Sequence, residues 1–287
     1  MADIVANTEA GVVDAVRAAR EHRRTLEIIG GGTRRSFGRP TQCDDVLDLS
    51  ALSGIVNYEP EELILTVKPG TPLDEIESVL TAKSQRLGFE PQDWRALLGT
   101  HGTPTIGGAI SANANGPATG RFGCARDHLL GFRSVNGFGE AYKAGGRVVK
   151  NVTGFDLPKL MCGAMGTLGP LTELTFRVFP KSAAKIFMMA CDSNAVLRKV
   201  ASSPLEATAL LYADGNAYVR LEGALEEKTA MLRDLGDFAE VETLPSPVLP
   251  AAPFPPEPPA RAALTRAVKA AFDPLGLFNP GRMYEGV

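Results

Sequence analysis

Residues 102–123, Gly-Thr-Pro-Thr-Ile-Gly-Gly-Ala-Ile-Ser-Ala-Asn-Ala-Asn-Gly-Pro-Ala-Thr-Gly-Arg-Phe-Gly, crowd glycine and small side chains so tightly that backbone amides can approach a large rigid ligand directly. The same density recurs at Gly30-Gly31-Gly32-Thr33, at Gly145-Gly146 and at Gly163-Ala-Met-Gly-Thr-Leu-Gly169, far apart in the chain. Such spread suits a long ligand better than a single phosphate. The first cluster follows a short apolar run and offers consecutive unobstructed amides beside a hydroxyl, the kind of concavity that receives a phosphate. A tight strand-ending turn reads the same residues without any ligand. The loop is not the Gly-x-Gly-x-x-Gly fingerprint, because Arg35 stands sixth from Gly30, and no Gly-Lys-Ser/Thr follows to make a Walker loop.

Side chains able to move protons are scarce, since the chain has three histidines. His22 sits in the polar helix end Arg20-Glu-His-Arg-Arg24 and reads as solvated; His101 lies between glycines ahead of the long glycine run. His128, after Arg126-Asp127, reads more readily as a packed structural residue than as a base. Trp94, near Pro91, reads as a half-buried aromatic or the cover of a pocket. Cys43, Cys124, Cys162 and Cys191 form no Cys-x-x-Cys pair, which excludes the ligand spacing of an iron–sulfur cluster or zinc ribbon and points to reduced thiols. No metal site is expected. Thirty basic against thirty-three acidic side chains leave a formal charge of −3, so no global field draws nucleic acid or anionic lipid, and any anion is held locally.

The N-terminus lacks a basic start followed by an apolar run, and no stretch approaches the roughly 20 apolar residues of a membrane span. A cytoplasmic protein without direct membrane insertion is expected, and Asn151-Val-Thr153 matches a glycosylation acceptor by chance.

The elements that must position these residues follow from periodicity. Helical spacing over 12–20 leads into an apolar strand over 26–29, with further strands at 45–49 and 63–67 and an acid-started helix over 72–80. Strands at 129–136, 147–149 and 171–179 alternate with the glycine loops, and Asp156 opens a short helix to Met161. Fresh periodicity begins near Lys185, with strands at 187–191 and 218–221 and helices at 195–201 and 226–235. Between Pro245 and Pro259 eight of fifteen residues are proline, which fixes φ, removes amide donors and predicts an extended linker. A last helix over 261–272 precedes a tail in which Phe278 calls for burial.

Thr105-Ile-Gly-Gly108, Asn113, Gly116, Arg121-Phe-Gly123 and Arg126-Asp127 fall in an order and spacing that a turn-rich loop has no reason to produce. Together with Arg126-Asp-His-Leu-Leu-Gly131, Lys150-Asn-Val-Thr-Gly-Phe-Asp156, Gly166-Thr-Leu-Gly169 and Phe278-Asn-Pro-Gly-Arg282, this set resembles the FAD-binding domain of the vanillyl-alcohol oxidase type, the PCMH fold. Within that superfamily it is similar to the E-type FAD-binding subunits of glycolate oxidases, over 28–181 and the tail. The expected chain is α+β. An FAD-binding PCMH-type domain over 1–181 has two α/β subdomains, about 1–70 and 71–181, followed by a small, shortened α+β cap over 182–244. A proline-rich linker over 245–260 leads to a helix and tail over 261–287 that return to the first domain.

The resemblance implies FAD, with Gly30, Gly31, Gly32 and Thr33 at its pyrophosphate and Arg34, Arg35 and Ser36 completing that loop. A solvated loop face is the other reading of the two arginines. Thr105, Ile106, Gly107, Gly108, Ser111, Asn113 and Gly116 run along the pyrophosphate and isoalloxazine, and Gly123 and Asp127 continue the wall. Lys150, Val152, Gly154 and Phe155, with Gly166, Thr167 and Gly169, close the other side, while Asn279 and Arg282 touch the ring edge. Many members attach the flavin through a histidine in the first glycine loop; this chain has none there, so noncovalent FAD is expected. Where relatives commonly have Gly-Tyr-Asp, Gly154-Phe155-Asp156 loses the ring hydroxyl.

Oxidising a 2-hydroxy acid needs a base for the hydroxyl proton, a cation for the carboxylate and a flavin N5 for the hydride. The D-type catalytic subunits are expected to carry a histidine-rich Gly-Asp-Gly-Asn metal segment, whereas Ala213-Asp-Gly-Asn216 has no flanking histidine. Catalytic residues stay unassigned. The favoured expectation is an FAD-binding, electron-transferring subunit of a glycolate oxidase complex, with a D-type flavin subunit and an iron–sulfur subunit as partners. It meets the small 2-hydroxy acid only indirectly, and any membrane association runs through partners. One alternative is a stand-alone FAD-dependent 2-hydroxy-acid dehydrogenase using His101 or His128 as base and Arg95 or Arg121 for the carboxylate. The other is a scaffold subunit that has lost FAD.

Overall fold

Thr8 accepts a hydrogen bond from Gly11 N at 3.1 Å and Glu9 fills the first turn, so the helix Glu9–His22 starts where its free amides are satisfied. Val12, Ala15, Val16 and Ala19 form its buried stripe, and Arg23 stops it in the left-handed region at φ 52°. The computed structural model describes residues 2–146, 155–246, 249 and 253–287. The strand expected at 147–149 lies outside them.

The helix covers a parallel sheet of β1 (Asp3–Val5), β2 (Leu26–Ile29) and β3 (Asp45–Asp48), in the order β1-β3-β2. The free edge of β2 is taken by the C-terminal tail: Leu26 N donates to Leu277 O at 2.7 Å and Asn279 N to Leu26 O at 3.0 Å. Phe278, with no exposed surface, packs beneath the helix beside Val12, Val16 and Leu47.

A second layer holds β4 (Ile55–Glu59), β5 (Ile64–Val67), β6 (Gln85–Arg86), β7 (Leu129–Val135), β8 (Ala141–Gly145), β9 (Leu171–Arg177) and β10 (Phe179–Pro180). Five of these make an antiparallel sheet in the order β4-β5-β9-β7-β8, and β6 pairs with β10. The sequence reading assigns residues up to about 70 to the first layer, but β4 and β5 belong to the second. Leu65 and Val67 lie opposite Phe176 and Leu174 across the β5–β9 ladder, all four buried in one core. Their apolar partners decide the sheet.

A third sheet, β11 (Ala184–Ala190), β12 (Ala209–Ala213), β13 (Asn216–Glu222) and β14 (Ala239–Val241), runs antiparallel in the order β12-β13-β11-β14. Helices Ala195–Ala201 and Leu225–Arg233 contribute Val200 and Leu232 to its own core around Phe187, Leu205 and Leu221. The final helix, Pro259–Phe272, begins inside the stretch read as linker, because proline is tolerated at a first turn.

A closed ring of four charges joins the third sheet to the second layer. Arg86 grips Glu222 through two bonds of 2.9 and 2.7 Å and reaches Glu90 at 3.0 Å; Arg220 meets Glu90 at 2.9 Å and Glu222 at 3.3 Å. Glu90 holds a positive φ of 45°, strain that its partners maintain. Removing it leaves two guanidinium groups sharing the one carboxylate of Glu222. Glu90→Ala is expected to cost about 3 kcal/mol, the lower end for a buried pair because Glu90 keeps some contact with water. Urea unfolding checks this, and a change under about 0.5 kcal/mol, the scale of ordinary surface substitutions, would show that the ring does not hold the sheets together.

Candidate functional site

The loop after β2 and the run 102–108 meet backbone to backbone. A methyl group built on Gly31 would lie 1.7 Å from Thr103 O, one on Gly102 would lie 2.3 Å from Gly31 O, and one on Gly30 would lie 2.6 Å from Thr105 Oγ1. Gly107 is pinned similarly, donating its amide to Pro69 O at 2.8 Å with no room for a side chain. These glycines serve the chain's own close approach. Gly32, at φ 72°, has nothing within 4 Å of such a methyl, and Gly108 has only Thr105 Oγ1 at 3.3 Å and Arg34 Nη1 at 3.8 Å.

An open cleft forms there. Gly30, Gly31, Gly32, Thr33, Arg34 and Arg35 line one side, Thr105, Gly107, Gly108 and Ser111 a second, and Gly166, Gly169, Asn279 and Arg282 a third. Glu27, Leu49, Pro69, Met165 and Leu171 also line it and were not foreseen. Glu27 had a signal: a carboxylate inside the apolar strand Leu26–Ile29, one turn of chain before the glycines.

Two adjacent arginines have different fates. Arg35 makes a two-pronged pair with Glu27 and is thereby neutralised. Arg34 is buried, spends one nitrogen on Gln92 O at 2.8 Å, and lies 5.0 Å from the centre of the Trp94 ring. Its Nε and Nη1 have no hydrogen-bond partner. Burial pushes its pKa down to about 10, so the group remains a cation at neutral pH. Two buried, unpaired guanidinium nitrogens carry an energetic cost that an anion held beside the glycine loops would relieve.

Asn279 and Arg282, expected at a ring edge, line the cleft and hold backbone. Asn279 accepts from Ile28 N and donates to Met165 O, both at 2.7 Å, while Arg282 donates to the carbonyls of Arg34 and Arg35. Other expected residues stand off the cleft. Ile106 is core; Asn113 takes a positive φ of 46° and accepts from Cys162 Sγ; Gly116 abuts Glu90 O. Gly123 abuts Asp127, whose carboxylate caps Cys124 N at 2.9 Å; Ser36 is exposed, and Thr167 is buried with its hydroxyl on Ala164 O. Phe155 is 91% exposed. Lys150, Val152 and Gly154 lie outside the described residues.

Neither histidine proposed as a base reaches the cleft. His101 is exposed, and His128 is buried with Nε2 at 2.8 Å from Phe122 O and Nδ1 unpartnered. Arg95 pairs with Asp93 and Arg121 with Glu206. Among the described residues lining the cleft, Glu27 is the one carboxylate, and none comes from the third sheet.

Residues 2–145, half of the 287-residue chain, match the family described as FAD binding domain. The chain belongs to this family. FAD is therefore the cofactor against which the cleft is judged. The chain is 35% identical over 216 residues to glycolate oxidase subunit GlcE of Escherichia coli (strain K12), covering 74% of this chain and 60% of that protein. It is 33% identical over 176 residues to glycolate oxidase subunit GlcD of Bacillus subtilis (strain 168), covering 61% of this chain and 36% of that one. The chain thus spans less than two thirds of each relative. A solved structure of alkyldihydroxyacetonephosphate synthase superposes with a TM-score of 0.66 at 16% identity, over 81% of this chain and 49% of that one, a likeness of fold alone. The expected α+β, PCMH-type fold is met.

Gly31→Ala drives a methyl into a carbonyl and is expected to destabilise by about 3 kcal/mol, whereas Gly32→Ala meets only the left-handed φ and costs about 1 kcal/mol. Equal losses in chemical denaturation would contradict the packed-loop geometry. Burial lowers the His128 pKa below its ordinary 6.5. The unfolded chain then binds a proton that the folded one refuses, so stability is full above pH 6.5 and falls as pH drops below it. His128→Gln is expected to flatten that slope in melting curves between pH 7.5 and 5; an unchanged slope would refute the assignment.

Proposed function

We propose that this chain holds FAD noncovalently in the cleft and acts as the FAD-binding, electron-transferring subunit of a glycolate-type 2-hydroxy-acid oxidase. The observation that carries the cofactor site is Arg34: a buried guanidinium whose Nε and Nη1 have no hydrogen-bond partner, close to Gly108 and in the cleft wall that Gly32 leaves open. The diphosphate of FAD is the anion that such a group fits. Gly32, Thr33 and Arg34 would hold it, with Thr105, Gly108 and Ser111 along one wall and Gly166 and Gly169 along another. FAD when bound supplies hydride acceptance and electron release.

The residues of the chain itself argue for a carrier rather than a stand-alone dehydrogenase. The sole carboxylate among the described lining residues is tied to Arg35, and both candidate histidine bases lie elsewhere. Substrate deprotonation is then the task of a partner, and the D-type flavin subunit and an iron–sulfur subunit are the partners this reading requires. That the GlcE and GlcD relatives are subunits of glycolate oxidases supports the multi-subunit part of this reading. No histidine occurs in 30–36, which supports noncovalent attachment.

Purified chain is expected to show a flavin absorption spectrum and to release all its flavin into the supernatant on acid precipitation. A colourless protein that stays so after FAD is added would sink the cofactor site; flavin in the pellet would sink the noncovalent attachment. Arg34→Met is expected to raise the Kd for FAD about 10- to 100-fold, the worth of a charged hydrogen bond. Dye-linked glycolate oxidation should be negligible until partner subunits are added, and full turnover by the isolated chain would overturn the carrier role.

A further inference from the structure

Lys269 is 6% exposed on the helix Pro259–Phe272, far from any surface role for a lysine. Its ammonium has three protons and three acceptors: Thr167 O at 2.7 Å, Asp273 Oδ2 at 2.7 Å and Phe278 O at 2.8 Å. Asp273 in turn accepts from the amides of Leu277 and Phe278, at 2.9 and 2.8 Å. One buried charge thus binds together the final helix, the tail and the 163–169 wall of the cleft.

The tail carries the connection onward. Asn279 joins Ile28, just before the first glycine loop, to Met165, and Gly166 has no side chain because a methyl there would lie 2.6 Å from Asn279 Nδ2. Arg282 then takes the carbonyls of Arg34 and Arg35. The two walls are therefore spaced by the tail, and the tail is seated by Lys269.

Stability alone is a poor reason for this lysine, because apolar replacements of buried ion pairs are often neutral. Two of its three acceptors are backbone carbonyls from separate segments, and no apolar side chain can bridge those. We propose that Lys269 is a positioning residue for the cofactor: through the tail, it sets the separation of the 30–35 and 163–169 walls that FAD must fill. The inference rests on the cofactor reading above.

The test compares wild type with Lys269→Met, first without FAD by amide hydrogen exchange and then with FAD by titration and visible circular dichroism, well below both melting temperatures. Exchange is expected to quicken in both 28–36 and 163–169, with the Kd for FAD up at least 10-fold and the flavin dichroism band altered. A folded variant with wild-type exchange in either wall, or with unchanged Kd and dichroism, overturns the proposal. Should Lys269→Met fail to fold, Arg282→Met, which removes the one nitrogen that holds the carbonyls of Arg34 and Arg35, decides it: faster exchange in 28–36 and weaker FAD binding support the clasp, and wild-type values overturn it. If wild type itself takes up no FAD, the cofactor reading falls, while the exchange comparison still judges the coupling of the walls.

Discussion

Gly31 lies against the backbone of Thr103 so closely that no side chain fits there, and the cleft is built around that contact. It brings the loop after β2 against the run that leads into the short helix Ile106–Ser111, and Gly107 repeats the device against Pro69. With backbone packed on backbone, side chains are kept out of the space between the walls. Main-chain groups and a few chosen side chains are left to face it, which is the surface a long polar cofactor requires.

Charge is then placed sparingly. The cleft holds three arginines: Glu27 pairs with Arg35, backbone carbonyls take Arg282, and Arg34 keeps two buried nitrogens without a hydrogen-bond partner. Burying such a group with two of its nitrogens unpaired is costly unless an anion is their working complement. The third sheet adds no described residue to the cleft and is bolted to the second layer through the Arg86–Glu90–Arg220–Glu222 ring. Lining of the cleft and docking of that sheet are thus served by separate sets of residues.

Much of this was legible in the residues. Glycine clusters announce close approach, and the helices Glu9–His22 and Leu73–Thr81 follow from apolar spacing and acidic first turns. What the pattern could not separate was Gly31, pressed on its own chain, from Gly32, facing open space, or Arg34 from Arg35, because those differences come from partners distant in sequence. For the same reason β5 was placed in the wrong layer: alternation marks a strand without naming its neighbour. β12 was missed although Asp214-Gly215, both at positive φ, is a strong hairpin turn joining it to β13. Asn279 and Arg282, singled out in the tail, line the cleft and also hold its backbone, contacts that the pattern did not announce.

The most direct test of the central claim compares FAD with riboflavin, which lacks the diphosphate, by calorimetric titration of the FAD-free protein and of its Arg34→Met variant. The account predicts that wild type prefers FAD strongly and that the variant loses that preference while riboflavin binding barely changes. Equal weakening of both ligands, or a preference for FAD that survives the substitution, would contradict it.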